Sequence, residues 1–160
     1  MSKTTRPMKN EDAWKIAHEF IRLVGDGACR DMAIAGSTRR KKAMVNDIEI
    51  VALPYGGALW DRLDTLVHRG EISKALYGEY EPRPKWNGKK YRGCVYQGRR
   101  VEVFCANEHN WGYIFWLRTG PDNDTDKANT MVATQLKYQN PYGIRLMDGV
   151  VMWGSRELSI

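Results

Sequence analysis

The residues best suited to do chemistry lie in one stretch, residues 35–53. Asp47 and Glu49 flank Ile48. In an extended strand alternate side chains share a face, so both carboxylates project together while Ile48 and Ile50 point into a core. Two acids held on one face repel each other unless a cation lies between them. Hard divalent ions such as Mg²⁺ take oxygen ligands and bridge carboxylates to phosphates. Just upstream, Gly36 permits close backbone approach and Ser37 offers a hydroxyl. Arg39, Arg40, Lys41 and Lys42 then add positive charge suited to a polyphosphate. Taken singly, an acid-x-acid pair also reads as a solvated sheet face, and a basic run as a solvated loop. In this order and at this spacing they make a phosphate cradle followed by a metal-binding strand, a layout for phosphoryl or nucleotidyl transfer.

The elements around this stretch follow from periodicity. Asn10 reads as an N-cap, with Glu11 and Asp12 in the first turn of a helix. Trp14, Ala17, Phe20, Ile21 and Val24 form its apolar stripe, and Gly25 ends it; residues 1–9 read as a loose arm. A strand over 31–35 runs into a Gly36-Ser37 turn, and 47–53 is its hairpin partner. After the break at Pro54-Tyr55-Gly56-Gly57, Leu59, Trp60, Leu63, Leu66 and Val67 mark a second amphipathic helix ending near Gly70. Strands are expected over 89–96 and Arg99–Cys105, joined at Gln97-Gly98. A helix over 107–118, a second opened by Pro121, and a hairpin of Ile144–Met147 and Val150–Trp153 complete the chain. The expected class is α+β: a mixed, mostly antiparallel sheet flanked by helices, then a small helical C-terminal lobe with a hairpin. The expected division is 1–106 and 107–160.

Two further features bear on chemistry. Glu102 is a lone acid between Val101 and Val103; if its strand lies beside 47–53, it joins Asp47 and Glu49 in a three-carboxylate site. From residue 83 to 100 no acid interrupts Arg83, Lys85, Lys89, Lys90, Arg92, Arg99 and Arg100, and Trp86, Tyr91 and Tyr96 are interleaved. Basic residues beside aromatics suit phosphate contact plus base stacking, which points to DNA or RNA. A solvated hairpin whose aromatics pack on the sheet is the other reading.

Gly-Ser-x-Arg-Arg followed at short range by Asp-Ile-Glu-Ile resembles the family X DNA polymerases of the polymerase-beta-like nucleotidyltransferase superfamily. The likeness extends from about Ala33 to the end, and is nearest to the minimal two-lobed viral members. It implies a nucleotidyltransferase palm over 1–106 and a reduced thumb-like subdomain over 107–160. It implies two Mg²⁺ (or Mn²⁺) ions held by Asp47 and Glu49, with Glu102 as the third acid. Ser37 and Arg40 would contact the triphosphate of an incoming dNTP, with backbone N–H groups near Asn46. Thr119-Gly120 would lie against its sugar and base, and Asp122 under the base. The family's usual acids are Asp where this chain has Glu49 and Glu102, and its usual aromatic pair is Leu117-Arg118 here. The implied activity is template-directed addition of dNMP to a primer 3′-hydroxyl in small-gap DNA repair, the partner being a primer-template or gapped duplex. The rival readings are an untemplated nucleotidyltransferase acting on RNA ends, protein or a small molecule, and a nucleic-acid-binding relative with a weakened site.

Composition agrees with a polyanionic partner: the 160 residues carry a formal charge of +6. Apolar residues at 42% and charged residues at 28% are ordinary for a globular chain long enough for one good core. Cys29, Cys94 and Cys105 make an odd number without Cys-x-x-Cys spacing, against both a disulfide framework and a zinc site. No apolar run approaches a membrane span and the N-terminus is polar, so a cytoplasmic protein is expected, or one inside a host cell if viral; the expected state is a monomer.

Overall fold

The computed structural model describes residues 6–75, 89–119, 144–147, 150–153 and 156–158. Its centre is a five-stranded sheet in the order β2 (Cys29–Ala35), β4 (Ile48–Pro54), β7 (Arg99–Cys105), β6 (Tyr91–Tyr96), β5 (Ser73–Lys74). All neighbours are antiparallel except β4 and β7, which run parallel. The expected α+β class and mixed, mostly antiparallel sheet are what the chain forms, and 31–35 does pair with 47–53.

Strand alternation divides the sheet into two faces. Ile34, Ile48, Ile50, Ala52, Val101, Val103 and Cys94 share one face, covered by α1 (Asn10–Gly25) and α3 (Ala58–His68). α1 buries Ala13, Ala17, Phe20 and Val24 there, and α3 buries Leu59, Leu63 and Leu66. The other face carries Ala35, Val51 and Phe104, against which α4 (Trp111–Thr119) packs Tyr113, Phe115 and Trp116. The acidic positions Glu49 and Glu102 lie on this second face, beyond the end covered by α4. Among the described residues no helix is long and apolar enough to cross a membrane.

Several local details differ from the expectation. Gly36-Ser37 opens a single helical turn, α2 (Gly36–Arg39), closed by Arg40 N–H donating to Gly36 O at 3.1 Å. Four residues hold no periodicity from which to predict it. Asn10 is the first helical residue, not a cap; its side-chain amide donates to Thr38 O at 3.0 Å. The loose arm is partly a strand: β1 (Met8–Lys9) pairs antiparallel with β3 (Met44–Val45), because burying Met8 and Val45 fixes it. α4 begins at Trp111; residues 107–110 form a turn in which Asn107 Oδ1 accepts the His109 and Asn110 N–H groups. The C-terminal hairpin forms as β8 (Ile144–Met147) and β9 (Val150–Trp153), with α4 against β8, and gains a third strand, β10 (Arg156–Leu158). The helix expected after Pro121 lies outside the described residues.

Phe20 is fully buried between helix and sheet, with its ring edge on Tyr96. Phe20→Ala should lower the stability of the protein by about 3–5 kcal/mol in a urea titration.

Candidate functional site

The parallel pairing of β4 with β7 sets Glu49 directly opposite Glu102. Asp47, one residue before β4, completes the acid group. All three line a cavity of about 270 Å³ with Ser37, Arg40, Lys42 and Asn46. The sequence-predicted acids and the predicted phosphate-binding side chains therefore share one wall. α2 supplies Ser37 from above the end of β2, and the loop into β3 supplies Lys42.

Gly36 explains how α2 comes so close. Its φ is +66°, and a Cβ there would overlap the Glu49 carboxylate. Arg39 anchors the turn from below. Its Nε donates to Ile34 O at 2.8 Å, and its guanidinium lies 5.2 Å from the Trp14 ring centroid and 5.4 Å from that of Phe115. It is thus stacked between α1 and α4, and burial lowers its pKa. Arg40 points toward the cavity and donates from Nη1 to Thr119 O at 2.8 Å, joining the cradle to the end of α4. Thr119 itself is fully buried; Gly120 and Asp122 lie outside the described residues.

The electrostatics are those of crowded acids. Burial, then the charges of Glu102 and Asp47, push the Glu49 carboxyl up to about 7, against the opposing pull of Arg118 and Arg40. Tyr91 O–H donates to Glu102 Oε1 at 2.7 Å. Burial and that bond raise the Tyr91 hydroxyl well above the usual phenol range, so it stays a donor. Three carboxylates lining one cavity supply hard oxygen donors of the type a divalent ion takes. By donor chemistry the residues fit the implied ion. Among the described residues no group of three or more His, Cys, Asp or Glu side chains is placed to hold a metal ion as it stands.

The basic hairpin is divided. Lys89 and Lys90 are exposed. Arg92 is turned to the helical face, where it pairs with Asp64 at 2.9 Å and lies 4.5 Å over Trp60. Arg99 donates to the Arg6 carbonyl, whereas Arg100 shares the acids' face of β7. Lys85 lies outside the described residues. A larger cavity of about 520 Å³ opens beside Ile21, Cys29 and Met32. There burial pushes the Cys29 thiol up to about 11, leaving little thiolate at neutral pH, so reactivity does not centre on it.

Sequence reasoning missed the roles of Tyr91 and Arg118. Tyr91 stood out only as an aromatic in a basic run. The hairpin register, which pairs Gly93 with Glu102 and Tyr91 with Phe104, is the signal that brings its ring beside the acid. Arg118 lies 4.1 Å over the Phe104 ring, a contact that local spacing does not reveal. Compared with known protein families the chain matches no family model. No curated protein sequence matches it either.

Two predictions follow from Glu49. Its carboxyl binds a proton more tightly when folded than the ordinary value of 4.5 allows. Its contribution to stability is therefore complete below pH ~4.5 and is lost as pH rises through about 7, a change of roughly 3 kcal/mol. Glu49→Gln should remove that slope and raise the melting temperature at pH 8, and Mg²⁺ should stabilise the parent protein more at pH 8 than at pH 5, both read by thermal melts. Gly36→Ala should cost about 1–2 kcal/mol through its left-handed backbone alone and also displace the Glu49 side chain, weakening Mg²⁺ stabilisation measured in the same way.

Proposed function

We propose that this chain is a metal-dependent nucleotidyltransferase that adds dNMP from a dNTP to the 3′-hydroxyl of a DNA primer, as a small gap-filling polymerase does. The observation that carries the reading is the register of Glu49 against Glu102, with Asp47, Ser37 and Arg40 on the same cavity wall. Three carboxylates lining one cavity with a hydroxyl and a guanidinium suit a phosphate chain bridged to acids by divalent ions.

Asp47, Glu49 and Glu102 would hold Mg²⁺ or Mn²⁺. Such ions supply Lewis acidity, lowering the pKa of an attacking hydroxyl and neutralising a leaving pyrophosphate. The protein's own groups do the rest. Ser37 donates a hydrogen bond to a phosphate oxygen, and Arg40 offers a fixed positive charge where negative charge accumulates on the β- and γ-phosphates. Tyr91 holds Glu102 by one oxygen, which fixes the orientation of that acid. The acceptor 3′-oxygen bonds to the α-phosphorus as the bond to pyrophosphate breaks, an in-line displacement that needs positioning and charge stabilisation rather than a covalent enzyme intermediate. The exposed Lys89 and Lys90 are among the cations that a DNA backbone would contact.

A second reading is untemplated transfer to another acceptor, such as an RNA end, a protein or a small molecule. It is favoured by the commitments of Arg92 to Asp64 and of Arg99 to the Arg6 carbonyl, which withdraw two cations from a duplex-binding surface.

The test is extension of a labelled gapped duplex with Mg²⁺ or Mn²⁺ and each dNTP or rNTP. Template-matched addition by the parent protein, abolished in Asp47→Ala and by chelation, is the expected result. Addition without regard to template moves the function to the second reading. Absence of transfer to gapped DNA, single-stranded DNA and RNA alike would overturn nucleotidyl transfer to nucleic acid.

A further inference from the structure

On the same face of the sheet as the acids, a second cavity of about 450 Å³ lies between β6, β7 and the first turns of α4. Its walls are aromatic. Tyr91 and Phe104 pair with centroids 5.0 Å apart at 44°, and Tyr113 and Ile114 contribute from α4. Its cations are Lys90, which is exposed, and Arg118, whose guanidinium lies over the Phe104 ring at 4.1 Å. No acid lines it. Asn107 and Asn110 add amide groups whose oxygens accept backbone N–H groups of their own turn.

Aromatic side chains beside two cations, with amide groups and no acid among the described lining residues, suit a planar ring joined to an anionic group. The volume is enough for one such ring with a sugar and a phosphate. Its position adds to this. Tyr91 lines the cavity with its ring and bonds Glu102 with its hydroxyl. Phe104 is two residues along the same strand from Glu102, about 7 Å away on the same face. That spacing is of the order of one nucleotide.

We propose that this cavity binds a single unpaired nucleobase with its phosphate, stacking the base on Tyr91 and drawing the phosphate to Lys90 and Arg118. Stacking on aromatic faces tolerates any base, because every base has a π-face. The same chemistry is offered by a free mononucleotide and by an unpaired nucleotide of a strand, including one exposed in a gap. The inference rests on the nucleotidyl-transfer reading only for its purpose. The base would lie beside Glu102, where a reacting strand must pass.

The test measures binding alone, without divalent ions or triphosphates, so that it stands apart from transfer. The full chain is titrated with dAMP, with a short single-stranded oligothymidine and with a blunt duplex, by calorimetry or tryptophan quenching. Two variants probe the cavity: Lys90→Glu reverses an exposed charge, and Ile114→Trp fills the space. Both are checked for folding by circular dichroism. The expected result is binding of dAMP and the single strand in preference to the duplex, weakened at least tenfold in folded Lys90→Glu and Ile114→Trp but retained in Asp47→Ala. Equal molar affinity for dAMP and the strand assigns the cavity to a free nucleotide; tighter binding of the strand assigns it to a chain. Either supports the proposal. Absence of binding to both, preference for the blunt duplex, or binding unchanged in folded Lys90→Glu would overturn it. Should binding hold while Asp47→Ala and the parent protein are equally inactive in transfer, the cavity stands and the transfer reading falls.

Discussion

The constraint on which this protein depends is the parallel register of β4 with β7. It is fixed from the buried side: Ile48 pairs with Val101 and Ile50 with Val103, and all four side chains are fully buried. Burying each aliphatic side chain is worth about 1.5–3 kcal/mol, so together they outweigh the repulsion of two partly screened carboxylates on the opposite face. The apolar side chooses the register, and the acidic side is carried along. A slip of one residue would turn Glu102 and Arg100 into the helix-covered core and expose the valines, which is why no intermediate register competes.

Around this pair the surrounding residues limit the cost of concentrated negative charge. Arg40 and Arg118 oppose the rise in the Glu49 pKa, and Tyr91 supplies one oxygen of Glu102 with a neutral donor. The cradle that faces the acids is itself clamped from several directions. Asn10 of α1 holds the Thr38 carbonyl, Arg39 is stacked between Trp14 and Phe115, and Arg40 reaches the end of α4. The four-residue turn could not hold its shape alone. It is kept by two helices and a strand, so its position reports on how α1, α4 and β2 pack together.

Much of this arrangement was legible in the sequence. Period-two alternation in residues 47–53 assigns Asp47 and Glu49 to one face and the isoleucines to the other. The apolar stripes of α1 and α3 were equally readable because each runs for three or more turns. The placement of Glu102 was legible only as a condition, since pairing between distant strands is set by tertiary packing and not by local pattern. The one-turn helix at Gly36, the two-residue strands at Met8 and Ser73, and the third C-terminal strand were not readable, because elements this short show no period. Arg92 shows the limit of composition: a run of basic residues gives total charge, but strand phase decides which of them face α3. The contact between Tyr91 and Glu102 required both the hairpin register and the parallel pairing, two non-local facts combined.

The position of β7 in the middle of the sheet has a consequence for synthesis. A nascent chain that has reached Pro54 can pair β2 with β4, but the far edge of β4 then presents the backbone of Ile48, Ile50, Val51 and Ala52 with nothing beside it. Bare apolar edges of this kind recruit strands from other chains. The hairpin of β6 and β7 is local in sequence and can form as a unit before it docks. The strand that delivers the third carboxylate is therefore also the one that seals the sheet. Any fragment or stalled chain ending before it would be inclined to aggregate, so the solubility of the protein and completion of its acidic wall arrive in the same step of folding.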